Sequence, residues 1–346
     1  MFRTILASIL FSITCAFVIS SAAVAQTSSL AVVNGDTLTT NDLEQQEGNK
    51  LLQARYQYYQ AERKALDDLI DQRMLEQEAK RHGLTVDQLK KQEIEAKVKE
   101  PTEDQLEIYY EGMDSKDSFD KVKGKIHDHI IELRTAKLTS TYMESLRLKS
   151  TIMVQLAPPM ASVDSTHSAG VEGPANAPAQ LIEFADFQCP YCQKVNPDLN
   201  KLLHDYNGKI SIVYKDFPLP MHANAEKAAE ASRCAGEQGK FWEYHNALFN
   251  DKKLQGDDLK LEAAALKLDT AKFNDCLDSG KETAGVNQDR TEGLSLGLSG
   301  TPSFFLNGHF FSGAVNYDQL RFMVEQQLNT LLSSENKAAP QESSRR

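Results

Sequence analysis

Residues 179–203 read AQLIEFADFQCPYCQKVNPDLNKLL, and this order of residue types leaves few folds open. Leu181 to Ala185 form an apolar run of strand length. Pro190 carries a fixed φ that suits a first helical position, so the spacing predicts a buried strand, a short turn, and a helix running to about Tyr206. Cys189 then stands at the helix N-terminus. Unpaired amide groups and the positive end of the dipole favour a thiolate there. Cys192 lies one turn further on the same side, so the two sulfurs can bond. The pattern is that of an exposed, acidic attacking thiol and a protected resolving thiol.

Two other readings compete for the pair. A structural zinc site needs two short-spaced pairs of Cys or His, and Cys234 and Cys276 are too far apart to supply the second. Nothing in the spacing of His204 and His222 enlists them, so no metal is expected. A purely structural staple gains little, because closing so small a loop removes little unfolded-state entropy. Redox exchange is the reading that remains best supported. Beyond the cysteines themselves no cofactor is implied.

The N-terminus bears on the compartment. Arg3 precedes an apolar run from Ile5 to about Ser20, and Ala23-Val24-Ala25 offers small residues for cleavage. Residues 1–25 are therefore expected to be a cleaved signal peptide, an uncleaved N-terminal anchor being the alternative that the same apolar length serves, and the mature chain is expected in the periplasm. Cys15 leaves with that segment. Four cysteines remain, and an even number in an exported chain favours disulfides. Cys234 and Cys276 are expected to form a structural bridge across the inserted helices. The formal charge of −11 becomes −12 on losing Arg3, which argues against nucleic acid and anionic membrane surfaces as partners. No stable membrane insertion of the mature chain is expected.

A composition break at 157–178, APPMASVDSTHSAGVEGPANAP, reads as a linker, part flexible and part extended. Before it, residues 26–156 are expected to form an α+β helical domain with a small two-stranded element. Val32-Val33 leads to an Asn34-Gly35 turn, and Thr40 or Asn41 is placed to cap a first helix. A second helix is expected from about Arg63 to His82, ending at Gly83. Shorter helices follow at Thr85 to Val98 and Thr102 to Glu111. A long helix then carries an apolar face of Phe119, Val122, Ile126, Ile130, Leu133, Tyr142 and Leu146. TIMVQL (151–156) is read as a strand that returns to pair with the first. The order, and the stretches VVNGDTLTTNDLE, LDDLIDQRMLEQEAKRHGLTVDQL and PTEDQLEIYYEGM, resemble the peptide-binding N-terminal part of SurA-like and trigger-factor-like chaperones. That resemblance implies client holding. The prolyl-isomerase module accompanying this domain in SurA has no counterpart here.

After the linker come strand, helix, strand, a helical stretch at about 222–298, a hairpin at Asn307-Gly308, and a closing helix. Residues 179–334 thus read as an α/β thioredoxin fold with a helical insertion, and 335–346 as a disordered tail. EFADFQCPYCQKVNP, YKDFPL, CAGEQGKFWEYHNALF and GTPSFFLNG resemble the DsbA-type thioredoxin family of exported thiol–disulfide oxidoreductases. The resemblance implies that Cys189 forms the mixed disulfide with a client and Cys192 resolves it. It implies a cis bond at Pro302, with Thr301 beside it, and a substrate-contacting role for both, as for Pro190 and Tyr191. It also implies a buried Glu183 that moves the proton of Cys192.

The direction of exchange stays open. DsbA oxidases carry His at the position of Tyr191 and Val at that of Thr301, whereas Cys-Pro-Tyr-Cys with Thr-Pro is closer to DsbG and DsbC type isomerases and reductases. The leading reading is a protein thiol–disulfide oxidoreductase that introduces disulfides. The alternatives are an isomerase or reductase, and a holdase chaperone with secondary redox activity. Expected partners are unfolded or reduced exported clients and a recycling partner, with a membrane quinone-linked oxidase as one candidate.

Overall fold

The structure, a computed structural model, describes residues 29–251 and 253–338. The expected signal peptide and residues 339–346 of the expected tail lie outside the described residues. Residues 335–338 of that tail belong to the last helix instead. Among the described residues no helix is long and apolar enough to cross a membrane.

The chain divides into two units at Gly48. In the first, β1 (Ser29–Val33) and β2 (Asp36–Thr39) form an antiparallel hairpin. Asn34 and Gly35 make its turn, both at positive φ, as the two-residue hairpin loop requires. Helix α1 (Thr40–Glu47) is capped by Thr39, one residue earlier than expected: its hydroxyl accepts from the Asp42 amide while Asp42 accepts back from Thr39, a reciprocal capping box. Strands β1 and β2 form a sheet of two strands only, so the strand expected at 151–156 does not form; those residues have no regular structure.

The second unit begins with α2 (Leu52–Arg81), which starts a full 11 residues before the expected Arg63. This helix of 30 residues is about 45 Å long and serves two cores. Its first turns place Leu52 and Tyr56 among the sheet residues of the C-terminal half, with the Tyr56 ring edge-on to Phe310 at 5.0 Å. Its last turns place Met74, Leu75 and Ala79 against α3 (Val86–Glu93) and α5 (Phe119–Lys149), through Leu89, Met143 and Leu146. Between these lies α4 (Glu103–Glu111), whose Leu106 packs on Ile126 and Ile130 of α5.

The C-terminal half is built on a five-stranded sheet of order β3-β5-β4-β6-β7. Strands β4 (Ala179–Ala185) and β5 (Ile210–Asp216) are parallel, joined across α6 (Pro190–Asp205). The hairpin β6 (Ser303–Leu306) and β7 (His309–Ser312) adds antiparallel to β4. Five helices are inserted between β5 and β6: α7 (Ala225–Gly236), α8 (Phe241–Asp251), α9 (Gly256–Ala265), α10 (Thr270–Ser279) and α11 (Thr283–Ser295). The chain closes with α12 (Tyr317–Ala338).

Residues 157–178 are not the linker expected from their composition. They cover both edges of the sheet, where bare strands would leave amides and carbonyls unpaired. Ala161 donates to the Gly308 carbonyl and Phe310 to that of Pro159, so this stretch runs along β7. Gly170–Glu172 then forms β3, antiparallel to β5. Its glycines are there for closeness: a Cβ on Gly170 would stand 2.2 Å from the Phe241 ring, and one on Gly173 2.5 Å from the Ile210 carbonyl.

Candidate active site

The parallel pair β4 and β5 ends at Ala185 and Asp216, and the chain turns from Ala185 into the cysteine motif. Asp186, fully buried, holds this turn. Its Oδ1 accepts from the Gln188 amide at 2.7 Å, and its Oδ2 from the Leu219 amide and His222 Nδ1, both at 2.8 Å. Gln188 Oε1 in turn accepts from the Asn224 amide at 2.9 Å. The loop before Cys189 is therefore bolted to the segment leading into α7. His222, whose spacing enlisted it for no metal, instead pairs with the Asp186 carboxylate and helps to position this loop.

Cys189 is the N-cap of α6, with Pro190 in the first helical position. Both cysteines are free thiols and both are buried, Cys189 3 % and Cys192 1 % exposed, so the exposure expected of the attacking thiol is not found. The same packing treats them oppositely. Cys189 is held down to about 5, first by a hydrogen bond from Cys192, with help from Thr301 and the backbone amides of Cys192 and Tyr191. Burial raises it, and the donors win. Thr301 Oγ1 is buried with no other hydrogen bond, so its hydroxyl is free to turn to the thiolate. In the thiol form Cys189 Sγ donates to the Thr301 carbonyl at 3.4 Å. Cys192 is driven well above the ordinary thiol range, by burial first and then by its bond to Cys189 and the charge of Glu183.

Glu183 sits on β4, a central strand, between Tyr214 of β5 and Phe304 of β6. It is 2 % exposed, and burial pushes its carboxyl up to about 8, with the Cys189 charge adding to the rise. It is thus protonated at neutral pH and close to giving that proton up, which suits a group that exchanges protons with Cys192. The Thr301–Pro302 peptide is cis. Pro302 is buried and its carbonyl accepts from Gly313, while the Thr301 carbonyl faces Cys189. Tyr191 is 59 % exposed beside the thiols, open to a bound chain.

Cys234 of α7 and Cys276 of α10 form a disulfide across 42 residues. Glu237 and Glu282 converge on Cys276, but its sulfur is committed to that bond and offers no thiolate to a metal.

Two features had no signature in the sequence. His245 is caged by the rings of Phe187, Tyr214, Phe241, Trp242 and Phe249, and burial lowers it to about 3. It is an uncharged core residue that packs Phe187 behind the cysteine loop. Beneath α7 and α11, Lys215 lies 3.2 Å from Asp289 and 2.7 Å from Glu292, while Arg233 bonds both Asp216 and Asp289. This buried ionic network ties two inserted helices to the end of β5, next to the catalytic turn. Its members are scattered over more than 70 positions, as the separation of 73 between Asp216 and Asp289 shows.

A family model described as thioredoxin matches residues 165–326, and one described as a SurA-like N-terminal domain matches residues 1–104. A Na(+)/H(+) antiporter NhaA 3 of Salinispora tropica is 38 % identical over 156 residues, covering 44 % of this chain. The match spans only 24 % of that protein, so its named activity stays with it. Among solved structures, a thioredoxin-like oxidoreductase from Silicibacter pomeroyi is 26 % identical, covering 49 % of this chain and 99 % of its own, at a TM-score of 0.43. The thiol-disulfide exchange protein alpha-DsbA2 of Wolbachia pipientis is 24 % identical, covering 45 % and 85 %, at a TM-score of 0.42. The stretch matched by the thioredoxin model carries a Cys-Pro-Tyr-Cys centre whose first thiolate is stabilised, and the N-terminal part of the chain matches the SurA-like N-terminal domain.

Proposed function

We propose that the protein introduces disulfides into reduced, exported client proteins in the periplasm, and that its N-terminal helical domain holds those clients while they are unfolded. The observation that carries the direction is the unequal treatment of the two thiols. In the oxidised centre a client thiolate attacks Cys189 Sγ, the Cys189–Cys192 bond breaks, and Cys192 leaves with its electron pair. Cys192 is a poor leaving group, so it takes up a proton as it departs, and Glu183, protonated at neutral pH, supplies it. A second client thiolate then attacks the client sulfur of the mixed disulfide. Cys189 leaves as a thiolate that is stable at about 5, and the client carries the new disulfide. The centre has gained two electrons, which a recycling oxidant of the compartment must remove, a membrane quinone-linked oxidase being one such partner. A stabilised leaving thiolate drives this direction more than isomerisation, despite Tyr191 and Thr301.

The test is oxidation of a reduced, unfolded client by a stoichiometric amount of the oxidised protein. Client thiols should disappear as the protein's appear, and Cys189→Ser should abolish the reaction. Rapid reduction of client disulfides by the reduced protein, with no net client oxidation, would favour the reductase reading.

A further inference from the structure

The helical domain leaves one face of α5 open. Ile130, Leu133 and Arg134, Lys137 and Leu138 recur at helical spacing and line a groove of about 680 Å³. Leu133 belongs to the apolar face expected to be core, yet it is 51 % exposed. Ile130 beneath it is buried against Leu106, so the floor is continuous with the domain's own core. The opposite wall is the segment 97–105, fastened to α5 by Arg134, whose guanidinium donates to the Lys99 carbonyl at 2.5 Å and to Gln105 Oε1 at 2.7 Å. These bonds fix the position of that wall on α5.

Its rim has a charge opposite to that of the chain. The protein carries a net −11, but Lys97, Lys99, Arg134 and Lys137 border the groove against a single carboxylate, Glu100. Glu100 is drawn away by His127, 2.7 Å from its Oε2, and Lys97 is paired with Glu93 at 2.6 Å. Among the described residues, Lys99, Arg134 and Lys137 have no carboxylate partner, and their aliphatic stems extend the apolar wall. An apolar floor ringed by uncompensated cations fits an extended segment whose apolar side chains are flanked by Asp or Glu. Helix α2 belongs both to this domain's core and to the core of the thioredoxin sheet, so a segment in the groove is held on the body that carries Cys189.

We infer that this groove is the client-binding site, and that it selects unfolded polypeptide with apolar residues flanked by carboxylates. The inference rests on the reading of the helical domain as client-holding. It adds the place and the charge preference.

The test uses the full chain with Cys189→Ser and Cys192→Ser, so that binding is separated from exchange. Fluorescence anisotropy would follow two short labelled peptides with one Leu/Phe core, one flanked by aspartates and one by lysines. The aspartate peptide should bind about tenfold more tightly at low salt and lose that advantage as salt rises. Lys99→Glu with Lys137→Glu should reverse the preference, and Leu133→Asp should weaken both peptides. In the parent cysteine background, exchange with a small dithiol should be unchanged by all three substitutions. Equal binding of the two peptides, or a preference untouched by the charge reversal, would overturn the inference while leaving the redox reading intact. Decanoate displacing the aspartate peptide while an unlabelled copy of that peptide fails to do so would assign the groove to a lipid and overturn it as well. Loss of small-dithiol exchange in the parent would instead strike the redox reading and leave the groove standing.

Discussion

Replacing Cys192 by alanine should raise the pKa of Cys189, because the hydrogen bond from Cys192 is the largest influence holding that thiol at about 5. A hydrogen bond to a charged group contributes about 1.5–3 kcal/mol, and one pKa unit corresponds to about 1.4 kcal/mol. Its loss should move Cys189 up by about 1–2 units, to about 6–7, while Thr301 and the helix-terminal amides keep it below an ordinary thiol. The assay is the pH dependence of iodoacetamide alkylation, with the Cys234–Cys276 disulfide intact so that those sulfurs do not react. The parent should lose half its reactivity near pH 5, and the variant at a clearly higher pH. An unchanged midpoint would refute the reasoning. The thiolate would then be held by the helix N-terminus and Thr301 alone.

Three further perturbations bear on the frame around the thiols. Glu183→Gln should remove a pH-dependent cost. A carboxyl raised to about 8 binds its proton more tightly folded than unfolded, so the parent loses stability as pH rises from the ordinary carboxylate range toward 8. In urea denaturation the variant should be more stable than the parent at pH 7 by up to about 3 kcal/mol, with little difference at pH 4 and slower release of Cys192 in exchange; a variant less stable at pH 7 would contradict the buried acid. Replacing both Cys234 and Cys276 by alanine should cost about 4 kcal/mol in the chain-entropy model, seen as a lower urea midpoint, with small-dithiol exchange retained below the transition. Asp289→Asn should cost about 3–5 kcal/mol, because it leaves Lys215 and Arg233 buried beside one acid fewer; a loss under about 1 kcal/mol would show the network to be solvated.

The parts of the site carried by local chemistry were readable in the chain. The strand, Pro190 and the two-residue cysteine spacing announced the redox helix, and Asn307-Gly308 announced the hairpin. Long-range charge was not readable: Lys215, Arg233 and Asp289 come from three elements, and only the fold shows that each has partners. Composition misled at 157–178, because proline and glycine serve a close-packed edge as well as a loose tether. Gly170 and Gly173 are small so that Phe241 and Ile210 can approach. TIMVQL has the residues of a strand but pairs with none of the described strands. The early start of α2 was legible in retrospect, since Leu52, Tyr56 and Tyr59 stand at helical spacing ahead of Arg63. Leu133 shows the reverse error, an apolar-face residue that remains open to solvent.

The central claim is that the centre is built to accept electrons from client thiols. Lowering Cys189 from 9.0 to about 5 stabilises the reduced form at pH 7 by about 2.7 kcal/mol, or about 60 mV for a two-electron couple. The direct test is the equilibrium reduction potential of Cys189–Cys192 against glutathione. The account predicts a strongly oxidising value, near about −120 mV, and a value at or below about −200 mV would contradict it.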